Sequence, residues 1–152
     1  MSRLSAPRLP PVFENSHFNV NVTLGAGGLI IGGSGGHSDT AAGAKLALVT
    51  TQLTDKSHPK IVDRVACITT PGETIDVVVT DEGVAVNPKR PDLRDRLLSE
   101  GVSLVSIEEL REKTKRRTDD ASKENVGGTG RVVAVAEYRD GTVIDVIEGI
   151  DG

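Results

Sequence analysis

Apolar and polar residues alternate strictly in FNVNV, residues 18–22. That period predicts a strand with one face on a core and one on solvent. Leu29, Ile30 and Ile31 form a short apolar run, read as a strand that runs into a cluster of glycines. From Asp39 the segment DTAAGAKLALV starts like a helix, with Ser38 or Asp39 as its N-cap and alanines behind. Residues 46–52 turn β-like, 54–59 are polar and predict a loop, and 60–70 are β-rich. Pro71-Gly72 follows in the order of a type II turn. IDVVVTD, residues 75–81, is almost continuously β-branched, the mark of a central buried strand. Asp81-Glu82-Gly83 then turns the chain so that VAVN pairs back on it.

Pro88 and Pro91 end that pairing and open a helix over 92–101, with Leu93, Leu97 and Leu98 on one face and Gly101 just past its end. A short strand is predicted over 102–106. Ser106 and Glu109 spell a capping box at the head of EELREKTKRR, whose basic end suits the C-terminus of a helix dipole. Residues 119–130 are polar and glycine-rich and predict a flexible connection. RVVAVAEYRDGTVIDVIEG predicts a hairpin turning at Arg139-Asp140-Gly141. Pro7, Pro10 and Pro11 make residues 1–16 an extended or disordered lead-in. The element order is that of an α/β layer fold: a mainly parallel sheet with flanking helices and a C-terminal β-hairpin. A length of 152 residues suits one domain.

Composition narrows the partners. With two Phe, one Tyr and no Trp, the core must be built from Val, Ile, Leu and Ala. A net charge of −4 offers no basic face for nucleic acid, and there are few rings on which bases could stack. No apolar run reaches the length of a membrane span, so no membrane partner is expected. The single Cys67 excludes an internal disulfide and fits a reducing compartment such as the cytoplasm. His17, His37 and His58 lack metal-ligand spacing, so no metal is expected.

Chemistry concentrates in GGSGGHSDT, residues 32–40, where four glycines fall within five residues and four polar side chains follow. A glycine costs about 1 kcal/mol in a regular element relative to alanine, so stability alone does not account for the cluster. Three familiar motifs fail on spacing. Lys45 follows Ala44 and precedes Leu46, so there is no phosphate loop of the G-x-x-x-x-G-K-[ST] type. No G-x-G-x-x-G dinucleotide fingerprint can be drawn from Gly25 or Gly33. His37, Ser38 and Asp39 are adjacent, so their side chains diverge, and they do not make a catalytic triad.

What survives is a concave run of amides able to hold an anion where a strand hands over to a helix. The glycines would let the backbone approach a ligand and point successive N–H groups at it. Ser34, His37, Ser38 and Thr40 would add side-chain hydrogen bonds to a carboxylate or a thioester oxygen. The same spacing also fits a tight crossover in which Asp39 merely caps a helix. Asn19 and Asn21 share one face of residues 18–22, lining either a site floor or a solvent edge. Glu73 reads as a general base or a solvated loop acid, and Arg64 and Arg90 as partners for a carboxylate or members of surface salt bridges. Cys67 reads as a small core residue and Lys45 as solvent-directed.

FNVNV, GGSGGHSDTAAGAKLALV, IVDRV, TTPGETIDVVVTDEGVAVNPKRPDLRDRL and RVVAVAEYRDGTVIDVI together resemble the C-terminal part of citrate lyase alpha subunits, over residues 17–112 and 131–147. A wider similarity is to coenzyme A transferases, in which a Gly-Gly-x-x-Asp loop precedes a helix ending in Ala-Lys. Gly35-Gly36-His37-Ser38-Asp39 and Ala44-Lys45 stand in those places. The resemblance implies a partial coenzyme A transferase-like domain over 17–150. It implies an enzyme subunit that exchanges acetyl for citrate on an acyl carrier thioester, through a mixed anhydride. Citrate can then be cleaved to oxaloacetate and acetate. The thiol would belong to a coenzyme-A-derived prosthetic group of the gamma (carrier) subunit, with acetyl-coenzyme A as a surrogate, and no cofactor bound covalently here. Expected partners are citrate, the beta and gamma subunits, and the transferase half that this chain lacks. Gly35, Gly36 and His37 become the expected catalytic donors, and Gly33, Ser34, Ser38, Thr40, Asn19 and Asn21 the expected substrate contacts. The alternative is a non-catalytic module that binds citrate or coenzyme A, or docks to other subunits.

Overall fold

The structure, a computed structural model, describes residues 12–14, 17–55, 58–118 and 128–150. Its strands are β1 (Val12–Glu14), β2 (Val20–Asn21), β3 (Leu48–Thr50), β4 (Thr54–Asp55), β5 (His58–Pro59), β6 (Ile61–Val62), β7 (Val77–Thr80), β8 (Gly83–Val86), β9 (Val132–Glu137) and β10 (Val143–Glu148). Its helices are α1 (His37–Gly43), α2 (Pro91–Ser99) and α3 (Ile107–Arg117).

Four small sheets replace the expected mainly parallel one. Their strand orders are β2-β1-β6, β3-β7-β8, β4-β5 and β10-β9. Among the described residues four pairings are antiparallel and two, β1 with β6 and β3 with β7, are parallel. The physical reason is connection length: tight turns such as that at Asp81–Gly83 can join only antiparallel neighbours, whereas parallel strands need a crossover. The mixed α/β character stands, and so does the central place of the β-branched run, since β7 lies between β3 and β8. Its Val77 is buried, and its Val78 belongs to the main core with Phe18, Val20, Leu53, Ile61, Ile75, Ile107 and Leu110.

Helix ends follow their local chemistry. In α2, Pro91 takes the first helical position. Gly101 (φ 80°) closes a Schellman turn, with Gly101 N–H donating to Leu98 and Val102 N–H to Leu97. In α3, Ser106 Oγ accepts Glu109 N–H at 3.1 Å and the Glu109 carboxylate accepts Ser106 N–H at 2.7 Å, the reciprocal capping box. The hairpin β9–β10 turns at Arg139–Gly141, where Gly141 (φ 85°) donates to Tyr138.

Several expectations are corrected. Residues 18–22 are not half-exposed, because Phe18, Val20 and Asn21 are all at most 1% exposed. β1 pairs with this segment, and Val20 also exchanges hydrogen bonds with Thr69 and Thr70. β1 itself falls inside the predicted lead-in, of which residues 1–11, 15 and 16 lie outside the described residues. Leu29, Ile30 and Ile31 are not a buried strand; they are 68%, 51% and 36% exposed, and Ile30 makes only an isolated bridge to Leu24. Helix α1 begins at His37, so Asp39 lies within its first turn and is not its cap. The helix stops at Gly43, which leaves Lys45 outside it. Thr54–Asp55 and His58–Pro59 pair as the β4–β5 ladder where a loop was expected. In 102–106 the expected strand reduces to a bridge between Leu104 and Val84. Of the predicted flexible connection, residues 119–127 lie outside the described residues, while Thr129 and Gly130 donate to Gly149 and Glu148.

Candidate functional site

The glycine loop stands open. A Cβ built at Gly32, Gly33 or Gly35 would meet nothing within 4 Å, and one at Gly36 only Thr40 Oγ1 at 3.8 Å. Gly35 adopts φ 57°, the left-handed region that a side chain would strain. His37 N–H donates to Ser34 at 3.2 Å and Thr40 N–H to Gly36 at 2.9 Å, which tie the loop into the start of α1. Among the described residues no protein acceptor takes the amides of Gly33, Ser34, Gly35 or Gly36. An open amide run of this kind can receive an anion. Helix α1 has only seven residues, so the loop amides rather than a macrodipole would do the binding.

His37 links the loop to the core. Its Nδ1 lies 3.0 Å from Oγ1 of the buried Thr70. Desolvation of the half-buried ring holds its pKa below 6.5, so the imidazole is neutral at neutral pH. Nε2 has no protein partner among the described residues. Ser38 is turned inward at 2% exposure, whereas Thr40 is exposed and Ser34 half-buried beside the open amides.

The turn after Thr70 borders a cleft of its own, whose lining includes no residue of the glycine loop. The cleft, of about 280 Å³, is lined by His17, Asn19, Gly72, Glu73, Asn87 and Lys89, among others. Asn19 Oδ1 accepts Gly72 N–H at 2.9 Å, while Asn87 Nδ2 donates to the carbonyls of Gly72 at 2.8 Å and Ile75 at 2.7 Å. Phe18, just before Asn19, has φ 61° although it is not glycine. Strain of this kind costs on the order of 1–3 kcal/mol and persists only where its surroundings hold it. Asn19 thus borders the cleft. Asn21 does not border any open surface: its Oδ1 accepts the amides of Thr23 and Leu24 and its Nδ2 donates to Leu24. The Pro71–Gly72 turn also differs from expectation, since Gly72 has no positive φ and opens a 3₁₀ turn over 72–74.

The hairpin tip reaches α1. Arg139 Nε lies 3.0 Å from Asp39 Oδ2, across a hundred residues of chain. Burial, together with the charges of Glu73, Asp39 and Asp140, pushes the Tyr138 hydroxyl above its usual pKa. Glycine loop, Thr70–Glu73 turn and hairpin tip therefore meet around α1.

Other candidates have structural employment. Arg90 bonds both oxygens of Asp92 at 3.1 Å and also pairs with Asp76. Asp76 in turn accepts Ala47 N–H at 2.7 Å. Arg64 is exposed, and Glu73 lies 3.9 Å from Lys89 on the surface. Cys67 is fully buried beside Leu24 and Ile147, and its thiol is pushed up to about 11, by desolvation first and by Asp145 second. Among the described residues no three His, Cys, Asp or Glu converge on a common point that could hold a metal. No described helix is long and apolar enough to cross a membrane. Sequence reasoning passed over the pairing of Asp39 with Arg139 and the anchoring role of Asn87. One local signal existed, an acid placed inside the apolar run IDVVVT, which marks Asp76 as a buried anchor.

Known proteins resemble this chain over nearly its whole length. The family model for the citrate lyase alpha subunit matches residues 8–150. The citrate lyase alpha chain of Klebsiella pneumoniae is 47% identical over 148 residues, covering 97% of this chain and 29% of that protein. The alpha chain of Escherichia coli K12 is 43% identical over 150 residues, covering 99% and 29%. This chain therefore spans less than a third of the length of these relatives. A crystal structure of a citrate lyase alpha subunit from Streptococcus mutans, in complex with citrate, superposes with a TM-score of 0.86 at 41% identity, covering 95% of this chain and 28% of that one. On this match, the chain belongs to the citrate lyase alpha subunit family.

Proposed function

We propose that this chain carries the citrate-side portion of a transferase site, acting with the remainder of an alpha polypeptide to exchange acetyl for citrate on an acyl carrier thioester. The observation that carries the reading is the run of unpartnered amides from Gly33 to Gly36, in a chain whose solved relative at 41% identity was crystallised with citrate.

A citrate carboxylate oxygen attacks the acetyl carbonyl carbon, and the C–S bond breaks to release thiolate and a mixed anhydride. The thiolate then attacks the citryl carbonyl and expels acetate, so the thioester is conserved and no external proton is needed. In each half the carbonyl oxygen gains charge. Amides of Gly35, Gly36 and His37 are the proposed donors, although His37 N–H already leans on Ser34 and would have to share. One preorganised donor at an oxyanion is worth about 3–4 kcal/mol of barrier. With Thr70 donating to Nδ1, the neutral His37 ring would present Nε2–H to a carboxylate. In this reading Gly33, Ser34, Thr40 and Asn19 are the citrate contacts. Ser38 and Asn21, buried as they are, have no contact role in this reading.

The test is reconstitution of this chain with the remaining alpha polypeptide, following acetyl release from acetyl carrier protein or acetyl-coenzyme A in the presence of citrate. Gly36→Val is a fair probe, because a Cβ at Gly36 meets only Thr40 Oγ1, at an ordinary contact distance of 3.8 Å. Loss of transfer by about a hundredfold is expected from crowding one oxyanion donor. Full activity in Gly36→Val would overturn the loop assignment. Citrate binding without turnover in every mixture would favour the non-catalytic module.

A further inference from the structure

We propose that Arg139 is a substrate-binding residue of this site, presented to the glycine loop by the hairpin turn and held there by Asp39 to clamp a citrate carboxylate. The inference rests on the citrate reading of the loop and adds a residue from a distant segment to it.

Placement comes first. Asp39 is the third residue of α1, and helical side chains lean toward the helix N-terminus. Its carboxylate therefore lies on the side of Gly35 and Gly36, and Arg139 Nε sits 3.0 Å from it. The backbone that delivers Arg139 is fixed at the turn. Tyr138 N–H donates to Thr142 at 2.9 Å, Gly141 N–H to Tyr138 at 2.9 Å, and Thr142 N–H to Asp140 Oδ1 at 2.9 Å.

Spare capacity comes second. Arg90, Arg111 and Arg117 each spend two or more guanidinium contacts on carboxylate oxygens. Arg139 spends one nitrogen on one oxygen, and its side chain is 77% exposed. Both terminal nitrogens are thus left as a planar fork, the geometry that takes a carboxylate bidentately.

Charge comes third. Asp39, Glu73 and Asp140 surround the hairpin tip, where their fields reach Tyr138. Three carboxylates would repel a tricarboxylate ligand. Lys89 lies 3.9 Å from Glu73, and Arg139 is the cation that offsets Asp39 and, in this proposal, meets the ligand. An ordinary surface ion pair would contribute little and would be indifferent to citrate. The two roles therefore differ in what they predict.

The experiment is calorimetric titration of citrate into the unaltered chain, Arg139→Gln and Arg139→Lys, with thermal unfolding of each. Arg139→Gln is expected to weaken citrate binding about tenfold to a hundredfold, the loss of a charged bidentate contact. Arg139→Lys restores the charge without the fork and recovers part of it. In the reconstituted transferase Arg139→Gln raises KM for citrate more than it lowers kcat. Citrate binding that is equal in the unaltered chain and Arg139→Gln overturns this inference and leaves the loop reading standing. Lowered thermal stability with unchanged citrate affinity assigns the ion pair to structure alone and also overturns it. No citrate binding by the unaltered chain, alone or reconstituted, overturns both.

Discussion

Asn19 Oδ1 accepts the amide of Gly72 at 2.9 Å, and no side chain fits at Gly72. A Cβ there would lie 1.7 Å from the His17 carbonyl oxygen and 2.5 Å from the Phe18 carbonyl carbon, both rigid backbone atoms. Gly72→Ala is therefore expected to destabilise the chain by about 3 kcal/mol or more, since the backbone itself must move. Asn19→Ala removes the acceptor of the Gly72 amide and should cost about 1–2 kcal/mol. Urea unfolding of both variants checks the order. An alanine at 72 that is as stable as glycine would show that the two segments do not approach this closely.

His37 makes stability depend on pH in a definite direction. Burial holds its folded pKa below the usual 6.5, so the unfolded chain binds the proton more readily. The contribution is fully present above 6.5 and is lost as pH falls through the folded pKa. His37→Gln should flatten the fall in unfolding free energy between about pH 7 and pH 5. Parallel slopes for the two proteins would refute the assignment.

Arg111 is 6% exposed and donates from Nε and Nη2 to the two oxygens of Asp63, each at 3.1 Å. Its hydrogen bond, against the desolvation that opposes it, holds the Asp63 carboxyl below its usual pKa. That stabilisation is present above 3.8 and is lost as pH falls through the lower, folded value. Asp63 is itself largely solvated, so Asp63→Ala should cost about 1–2 kcal/mol, less than a fully buried pair would. Adding Arg111→Met should recover part of the loss, because the unpaired charge goes with it. A double variant that is less stable than Asp63→Ala contradicts this account.

Cys67 is shielded from solvent and its thiol is pushed up to about 11. Iodoacetamide at mildly alkaline pH should leave the folded chain unmodified and alkylate it fully in denaturant, because the thiolate is the nucleophile. Intact mass reads the outcome. Rapid alkylation of the folded chain would place Cys67 at a surface.

Local chemistry was legible wherever a signal and its consequence lie within a few residues of each other. Ser106 with Glu109, Pro91 with Gly101, and Asp140-Gly141 each specify a cap or a turn through contacts made inside one segment. The β-branched run that becomes β7 was legible too, since burial on both faces removes any need for polar alternation. The order of motifs from FNVNV to the hairpin likewise sufficed to identify the family. Sheet composition was not legible, because which strands pair depends on partners distant in sequence. FNVNV shows why: its alternation is that of a half-exposed strand, yet Asn21 is buried by satisfying its amide on Thr23 and Leu24. Asp39 shows it again. From its neighbours it looked like a helix cap, and only tertiary packing brings Arg139 to within 3.0 Å of it. The sequence by itself determined the caps of α2 and α3, the hairpin turn at Asp140-Gly141 and the place of the β-branched run in the core. The tertiary structure decided which distant charges and amides meet around the glycine loop, because hydrogen bonds and ion pairs act over a few ångströms of space and carry no record of separation along the chain.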